Sequence, residues 1–452
     1  MSFLPPLPIS AFMVTVLAVM VIALPVLALI VATTPRLVAL LVVLFRRDPN
    51  GAFVAHSVAM ISRTWAVLLL VLSAVALVAV QPRYFRRSAG AMHGVPAENV
   101  DGSLRSSLAP DVQALIDTLP CAGVVVGVVR PSGNEVFGFG RRSVSGLAEP
   151  DGETVFEIGD MTQTFTATLF ARLVEENVVG MDQTVRSLLP DTVSVPMKDG
   201  HDIELQHLAT WSSGLPKIDG NPAAPLLDLF PPFSRAALPR SKRWLYELLS
   251  SIDIAYAPGS HLDGSDLGMG LLGHALERAT KTDYETLLQR EICGPLGMKN
   301  TRVKLTPAMR SHMAEGLRMG WGSYRGWCVA SPIRRWPDGV VPGADGLCST
   351  ADDLLTLIRA HLAGFPLQHA LAETRVPRLH VADGPDVGLG WFLESTASGD
   401  ALVWQHGMAG PSRAYMAFMQ RSGVGVVVLS NVPVDVDLLG KKVLNRLLAP
   451  GV

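Results

Sequence analysis

The strongest restriction on this chain lies near its amino end. Ala11 to Ala32 is almost purely apolar, broken only by Thr15 and Pro25. It is long enough to cross a bilayer as a helix. A second run, WAVLLLVLSAVALVAV, follows from Trp65 to Val80. As a helix it extends roughly 24 Å, slightly less than a hydrocarbon core. Arg63 and Arg83 flank it and Trp65 and Tyr84 suit the two interfaces. Leu37 to Phe45 is apolar but too short to cross, and reads as an interfacial piece. Residues 1–87 are therefore expected to form a membrane region, with spans at about 11–32 and 64–80. The composition agrees: 49% of residues are hydrophobic and 17% charged.

No Lys or Arg precedes Arg36, so the first run lacks the basic flank of a cleaved leader. The loop between the runs carries Arg36, Arg46, Arg47 and Arg63. By the positive-inside rule that loop is cytoplasmic. The expected location is the plasma or inner membrane, multi-pass, with the large carboxy-terminal part on the extracytoplasmic side. Arg83, Arg86 and Arg87 follow the second run and keep single-pass insertion of that run as a competing topology. The bilayer is thus an expected partner. A net charge of −2 gives no electrostatic case for nucleic acid. The four cysteines, Cys121, Cys293, Cys328 and Cys348, form no CxxC, and HExxH is absent. No metal or cofactor is expected. An exported domain can bridge Cys328 to Cys348; four buried thiols is the plainer reading.

Residues 88–109 carry Gly, Ser and Pro without a long apolar run and read as a linker. From residue 110 the pattern becomes that of a folded domain, 110–452. DVQALIDTL has helical periodicity, and CAGVVVGVVRPSGNEVFGFGRRS reads as two strands about a PSGN turn. A helix is expected from Met161 to Glu176. Further strands run through ALVWQHGMAGPSRAYMAFMQRSGVGVVVLSN, with a turn at RSG, and a last helix fits Asp437 to Leu448. Strands at both ends with helices between predict one α+β domain whose sheet draws on both termini.

Several stretches then bring a family into view. They are FEIGDMTQTFTATLFARLVEENVVGMDQTVRSLLP, LATWSSGLP, YAPGSHLDGSDLGMGLLGHALERATK, CGPLGMKNT, ADGLCSTADDLLTLI, GLGWFL and WQHGMAG. In this order the domain resembles the serine β-lactamase, penicillin-binding and DD-peptidase superfamily, in its class C-like branch. The resemblance implies an antiparallel sheet flanked by helices plus a helical subdomain. It covers the chain from Pro110 to about Leu448 and leaves out the membrane region.

The family's chemistry needs S-x-x-K at a helix start, where i and i+3 share a face and a lysine amine activates the serine. The matching positions here are Asp160 and Gln163. An amide has no basic nitrogen, so Gln163 cannot serve as the base. None of the eight lysines follows a serine by three, and G-x-S-x-G is absent. The local pattern D-M-T-Q instead suggests a capping box, with Asp160 at the N-cap and Gln163 at N3. The second motif, Y-x-N, is matched by Gly264, Ser265 and Asp266, which has no phenol; Ser265 reads as a turn serine. The third, H/K-x-G, is matched by His406, Gly407 and Met408, with methionine where the inner glycine belongs. Trp211 stands where the family often has histidine, in a stretch read as structural.

No catalytic residue is expected in the family's sense. The candidate ligand pocket comprises Asp160, Gln163, Ser265, Asp266, His406, Gly407 and Met408. Two carboxylates, Asp160 and Asp266, approach it with His406 opposite. Without the lysine one of them should gain a raised pKa unless a cation such as Arg413, a metal ion or a cationic ligand intervenes. Proton chemistry or divalent-metal binding is the lesser alternative to simple solvation or arginine pairing. The expectation is a membrane-anchored pseudoenzyme of the cell envelope. It would bind an envelope-derived peptide or lipid, or dock on a membrane protein as an accessory subunit. The rival is a serine-hydrolase-like enzyme with a non-standard site.

Overall fold

The computed structural model describes residues 104–449, apart from 119–121, 144–145, 147, 218–240, 320–327, 331–340 and 397–398. The expected spans, the interfacial piece, most of the linker and the Pro-rich segment NPAAPLLDLFPPF lie outside the described residues. Among those described, no helix is long and apolar enough to cross a membrane.

The sheet begins with β1 (Gly123–Arg130) and β2 (Gly133–Gly140) and is completed by β3 (Asp386–Val387), β4 (Phe392–Ser395), β5 (Ala401–Ala409), β6 (Ser412–Met419) and β7 (Val424–Ser430). Its order is β2-β1-β7-β6-β5-β4-β3. All neighbours are antiparallel. Its first and last strands in sequence, β1 and β7, pair as second and third in that order, with Val126 opposite Val428, as the run of strands at both ends predicts.

β1 reads GVVVGVV because both of its faces are covered. Val124, Val126 and Val128 face one core with Val426 and Val428, beneath α1 (Leu104–Thr118) and α5 (Val436–Leu448). Val125 and Val129 face the other with Val427 and Leu429, against α4 (Ala351–Ala363). The alternation is the two-residue period of a strand. A Cβ on Gly440 of α5 would lie 2.2 Å from Tyr415 of β6, so this glycine lets the helix settle on the ring.

α1 corrects one boundary. The domain was expected to open at Pro110, yet the helix starts at Leu104 and runs through that proline. Leu104, Leu108, Val112 and Ile116 recur every fourth residue and are buried. Burying four such side chains gives roughly 1.5–3 kcal/mol each, against about 3 kcal/mol for an interior proline. Cys348 is buried, and the side chain of Cys328, to which a bridge was allowed, lies outside the described residues.

The helical side centres on α2 (Thr162–Glu175), buried from Thr162 through Ala171. It packs on α3 (Asp266–Thr280). Thr166 Oγ1 reaches both Tyr284 OH and the Gly343 carbonyl at 2.7 Å. Gly440→Ala should overpack the Tyr415 contact and lower stability by about 1–3 kcal/mol. Urea unfolding followed by tryptophan fluorescence checks this; an unchanged midpoint would show that the helix does not sit this close.

Candidate functional site

Ahead of α2 the chain makes a single 3₁₀ turn, Gly159–Met161. Gly159 has φ of +52°, and an ideal Cβ there would sit 2.3 Å from the Met408 carbonyl oxygen. Gly407 answers it from β5, where a Cβ would sit 1.9 Å from the Ile158 carbonyl oxygen. Two side-chain-free positions therefore let the turn press its backbone onto the strand. The contact delivers Asp160 to β5, and the Met408 N–H bonds its carboxylate.

The expected capping box does not form. The N-cap of α2 is Met161, and no side chain caps it. Gln163 is 4% exposed and turns away from the backbone. Its Nε2 donates to Asp266 Oδ1 at 3.1 Å, and its Oε1 accepts from Trp211 Nε1 at 2.5 Å. A buried amide needs partners, and it finds them in these two side chains rather than at a helix terminus already closed by the 3₁₀ turn. Trp211 lies in the left-handed region, with φ of +53°. Its ring stacks on Phe392 at 4.9 Å, and Phe392 stacks on Trp404 at 4.6 Å.

Asp160 feels two further carboxylates, Asp266 and Asp345. Burial first, and then these neighbours, push its pKa up to about 7. The Met408 N–H and His406 act in the opposite direction but do not offset them. A raised pKa is the behaviour expected for paired acids that have lost their lysine. Asp345 was not among the candidates. Its only sequence signal is an acid between the small residues Ala344 and Gly346 in ADGL.

Ser265 is the N-cap of α3, accepting from the Gly268 N–H and donating to the Pro216 carbonyl at 2.9 Å. Beside it Gly264 leaves space that the Lys217 side chain approaches; a Cβ would lie 3.7 Å from Nζ. His406 is near enough to Asp160 to interact electrostatically, but its Nδ1 lies 2.7 Å from Asp437 Oδ2 on α5. That hydrogen bond is the main reason its pKa is raised. Asp437 was also missed; it lies 31 residues from His406, and no local pattern links them. Arg413 Nη1 donates to the carbonyls of Gly410 and Ser412. Met408 is 55% exposed, so its side chain is not packed into the core.

Asp160, Gln163, Asp266 and the Met408 backbone are thus brought together, while the His406 ring is engaged by the carboxy-terminal helix. Among the described residues no three His, Cys, Asp or Glu side chains are arranged to hold a metal ion. Two surface cavities, about 420 Å³ beside Arg172 and Phe365 and about 380 Å³ beside Lys242 and Asp283, include none of these groups. The cluster can hold a proton at Asp160 and offer hydrogen bonds. It holds no alcohol beside an amine at the helix start.

Residues 111–449 match the family described as Beta-lactamase. The chain is similar to the D-alanyl-D-alanine-carboxypeptidase/endopeptidase AmpH of Escherichia coli strain K12, 27% identical over 309 residues, 64% of this chain and 74% of that protein. It is similar to a beta-lactamase of Pseudomonas fluorescens, 24% identical, covering 73% of this chain and 93% of that protein. Among solved structures it resembles the octameric penicillin-binding protein homologue from Pyrococcus abyssi. That match has a TM-score of 0.65 and 20% identity, over 76% of this chain and 78% of the other.

Because the Asp160 pKa rises from 3.8 to about 7 on folding, its contribution to stability is full below about pH 4 and is lost as pH rises through about 7. Asp160→Asn should therefore be more stable than the parent at about pH 8, by up to about 4 kcal/mol, with the difference vanishing near pH 4. Thermal unfolding of both proteins across that range measures it. Parallel pH profiles would mean that the carboxyl is not held protonated.

Proposed function

The chain belongs to the beta-lactamase family, and from that premise we propose that it is a non-acylating member whose cleft binds rather than cleaves. The observation that carries this reading is Gln163. It stands at the position the resemblance gives to the lysine, and both ends of its amide are engaged, by Trp211 and by Asp266. Its nitrogen is not basic, so it cannot take a proton from an alcohol. Asp160 offers a carboxyl instead of an alcohol, and acyl transfer to it would give a labile anhydride rather than a stable ester. With glycine at 264 there is no phenol either. Family membership alone does not restore the activity, because function resides in the site.

The proposed role is a binding or scaffold domain of the cell envelope, anchored by the apolar runs in residues 1–87 and exposed on the extracytoplasmic side. Its ligand would be an envelope-derived peptide or lipid, or its partner a membrane protein that it serves as an accessory subunit. Polar groups support ligand binding there, the Asp160 carboxyl and the Asp266 and Asp345 carboxylates that act on it, with the apolar side chain of Met408 exposed beside them.

A second reading is favoured by the raised Asp160 pKa. A carboxyl that titrates near neutrality suits general acid–base chemistry. AmpH is named for carboxypeptidase and endopeptidase activity. A non-standard hydrolase using Asp160 without a covalent intermediate is the form this alternative takes. Intact-mass spectrometry after incubation with benzylpenicillin, and separately with a fluorophosphonate, separates acylating from non-acylating chemistry. No adduct is expected with either probe. A stable adduct mapped to the 111–449 domain would overturn the proposal.

A further inference from the structure

His361 occupies the last turn of α4 and is 1% exposed. Its ring stacks on Phe418 of β6 with centroids 4.8 Å apart and meets Trp391 edge-on at 5.1 Å. Phe418 and Trp391 also meet edge-on, at 5.5 Å, so three rings close on one another. Among the described residues neither imidazole nitrogen has a hydrogen-bond partner, and the Trp391 indole N–H has none. Gln420 reaches only the His361 backbone carbonyl. Among the described residues, the charged group that acts on the ring is the Arg375 guanidinium, just beyond the helix Gln368–Glu373; Trp391, Phe418 and Gln420 bring no charge. Burial first, and then this like charge, hold the imidazole well below its ordinary pKa.

This box adjoins the segment that packs against Gln163. Trp391 follows Gly390, whose φ is +70° and where a Cβ would lie 2.9 Å from the Gln163 carbonyl oxygen and 2.8 Å from Ala167 Cβ. The Gly390 N–H donates to the Ala209 carbonyl at 2.9 Å, and its own carbonyl accepts from Gln405 Nε2 at 3.3 Å. One residue thus ties α2, the Trp211 segment and β5 together, and its neighbour Trp391 rests on His361. A proton added to His361 would be a buried cation with no acceptor, beside another cation. Such a charge is relieved only by letting water in.

We propose that His361 is an acid-sensitive prop for the cleft: protonation of its ring opens the Trp391 box and releases the Gly390 segment that backs Gln163. Neutral, the ring packs as a third aromatic and the cleft is held. Charged, it forces the Gly390–Trp391 segment off α4. The device is independent of whether the cleft binds or cleaves.

Backbone hydrogen exchange in the full chain tests it, read for residues 389–393 and for the first turns of α2. Rates are corrected for the intrinsic pH dependence. Below about pH 6.5 the protection of both regions should fall about tenfold per pH unit in the parent. It should stay level in His361→Phe, which keeps an aromatic ring in the box. Equal acid sensitivity in the two proteins, or none in the parent, would overturn the proposal. If His361→Phe does not fold, the imidazole resonance of His361 in the parent decides. A ring that gains its proton while residues 389–393 remain fully protected contradicts the prop; loss of protection in step with protonation supports it.

Discussion

The Asp160 site depends on a backbone-to-backbone contact between the Gly159–Met161 turn and β5. Gly159 and Gly407 are the positions that permit it, since a Cβ at either would fall within 2.3 Å of a carbonyl oxygen on the other element. Because the contact lies between main chains, it is indifferent to what the neighbouring side chains do chemically. The turn can therefore keep presenting residue 160 to the strand whether that residue is an alcohol or, as here, a carboxylic acid. This separates the persistence of the fold from the persistence of its chemistry.

The identity of the residue one turn later then decides what the presented group can do. In Gln163 an uncharged amide bridges an indole and a carboxylate. It satisfies the buried polar groups around it without bringing a positive charge. Three acids, Asp160, Asp266 and Asp345, share the neighbourhood. The system lowers its electrostatic cost by keeping a proton rather than by binding a lysine. His406 illustrates the same economy: its ring is held by Asp437 and serves to fasten the carboxy-terminal helix to the cleft strand.

Much of the architecture could be read from periodicity. The valine run of β1 announced a strand, and strands at both chain ends announced a shared sheet. What escaped is instructive. Residues 88–109 looked like a linker because they hold Gly, Ser and Pro and no long apolar run, but the buried stripe of Leu104, Leu108, Val112 and Ile116 carries a helix from Leu104 through Pro110. D-M-T-Q looked like a cap because a pattern three residues long reads the same whether its side chains fold back on the helix or reach across the protein. Trp211, 48 residues from Gln163, settles the matter, and only the fold brings it there. The losses at residues 163 and 264 were legible at once, since no tertiary context turns an amide into an amine or a glycine into a phenol.

At the Asp160 site, burial and the neighbouring acids push one carboxyl up to about 7. The most direct measurement is the carbon-13 shift of the Asp160 carboxyl followed against pH. A midpoint near 7 is expected. A midpoint near the ordinary aspartate value of about 4 would mean a solvated carboxylate in an open site, and the picture of a proton-holding acid cluster would not stand.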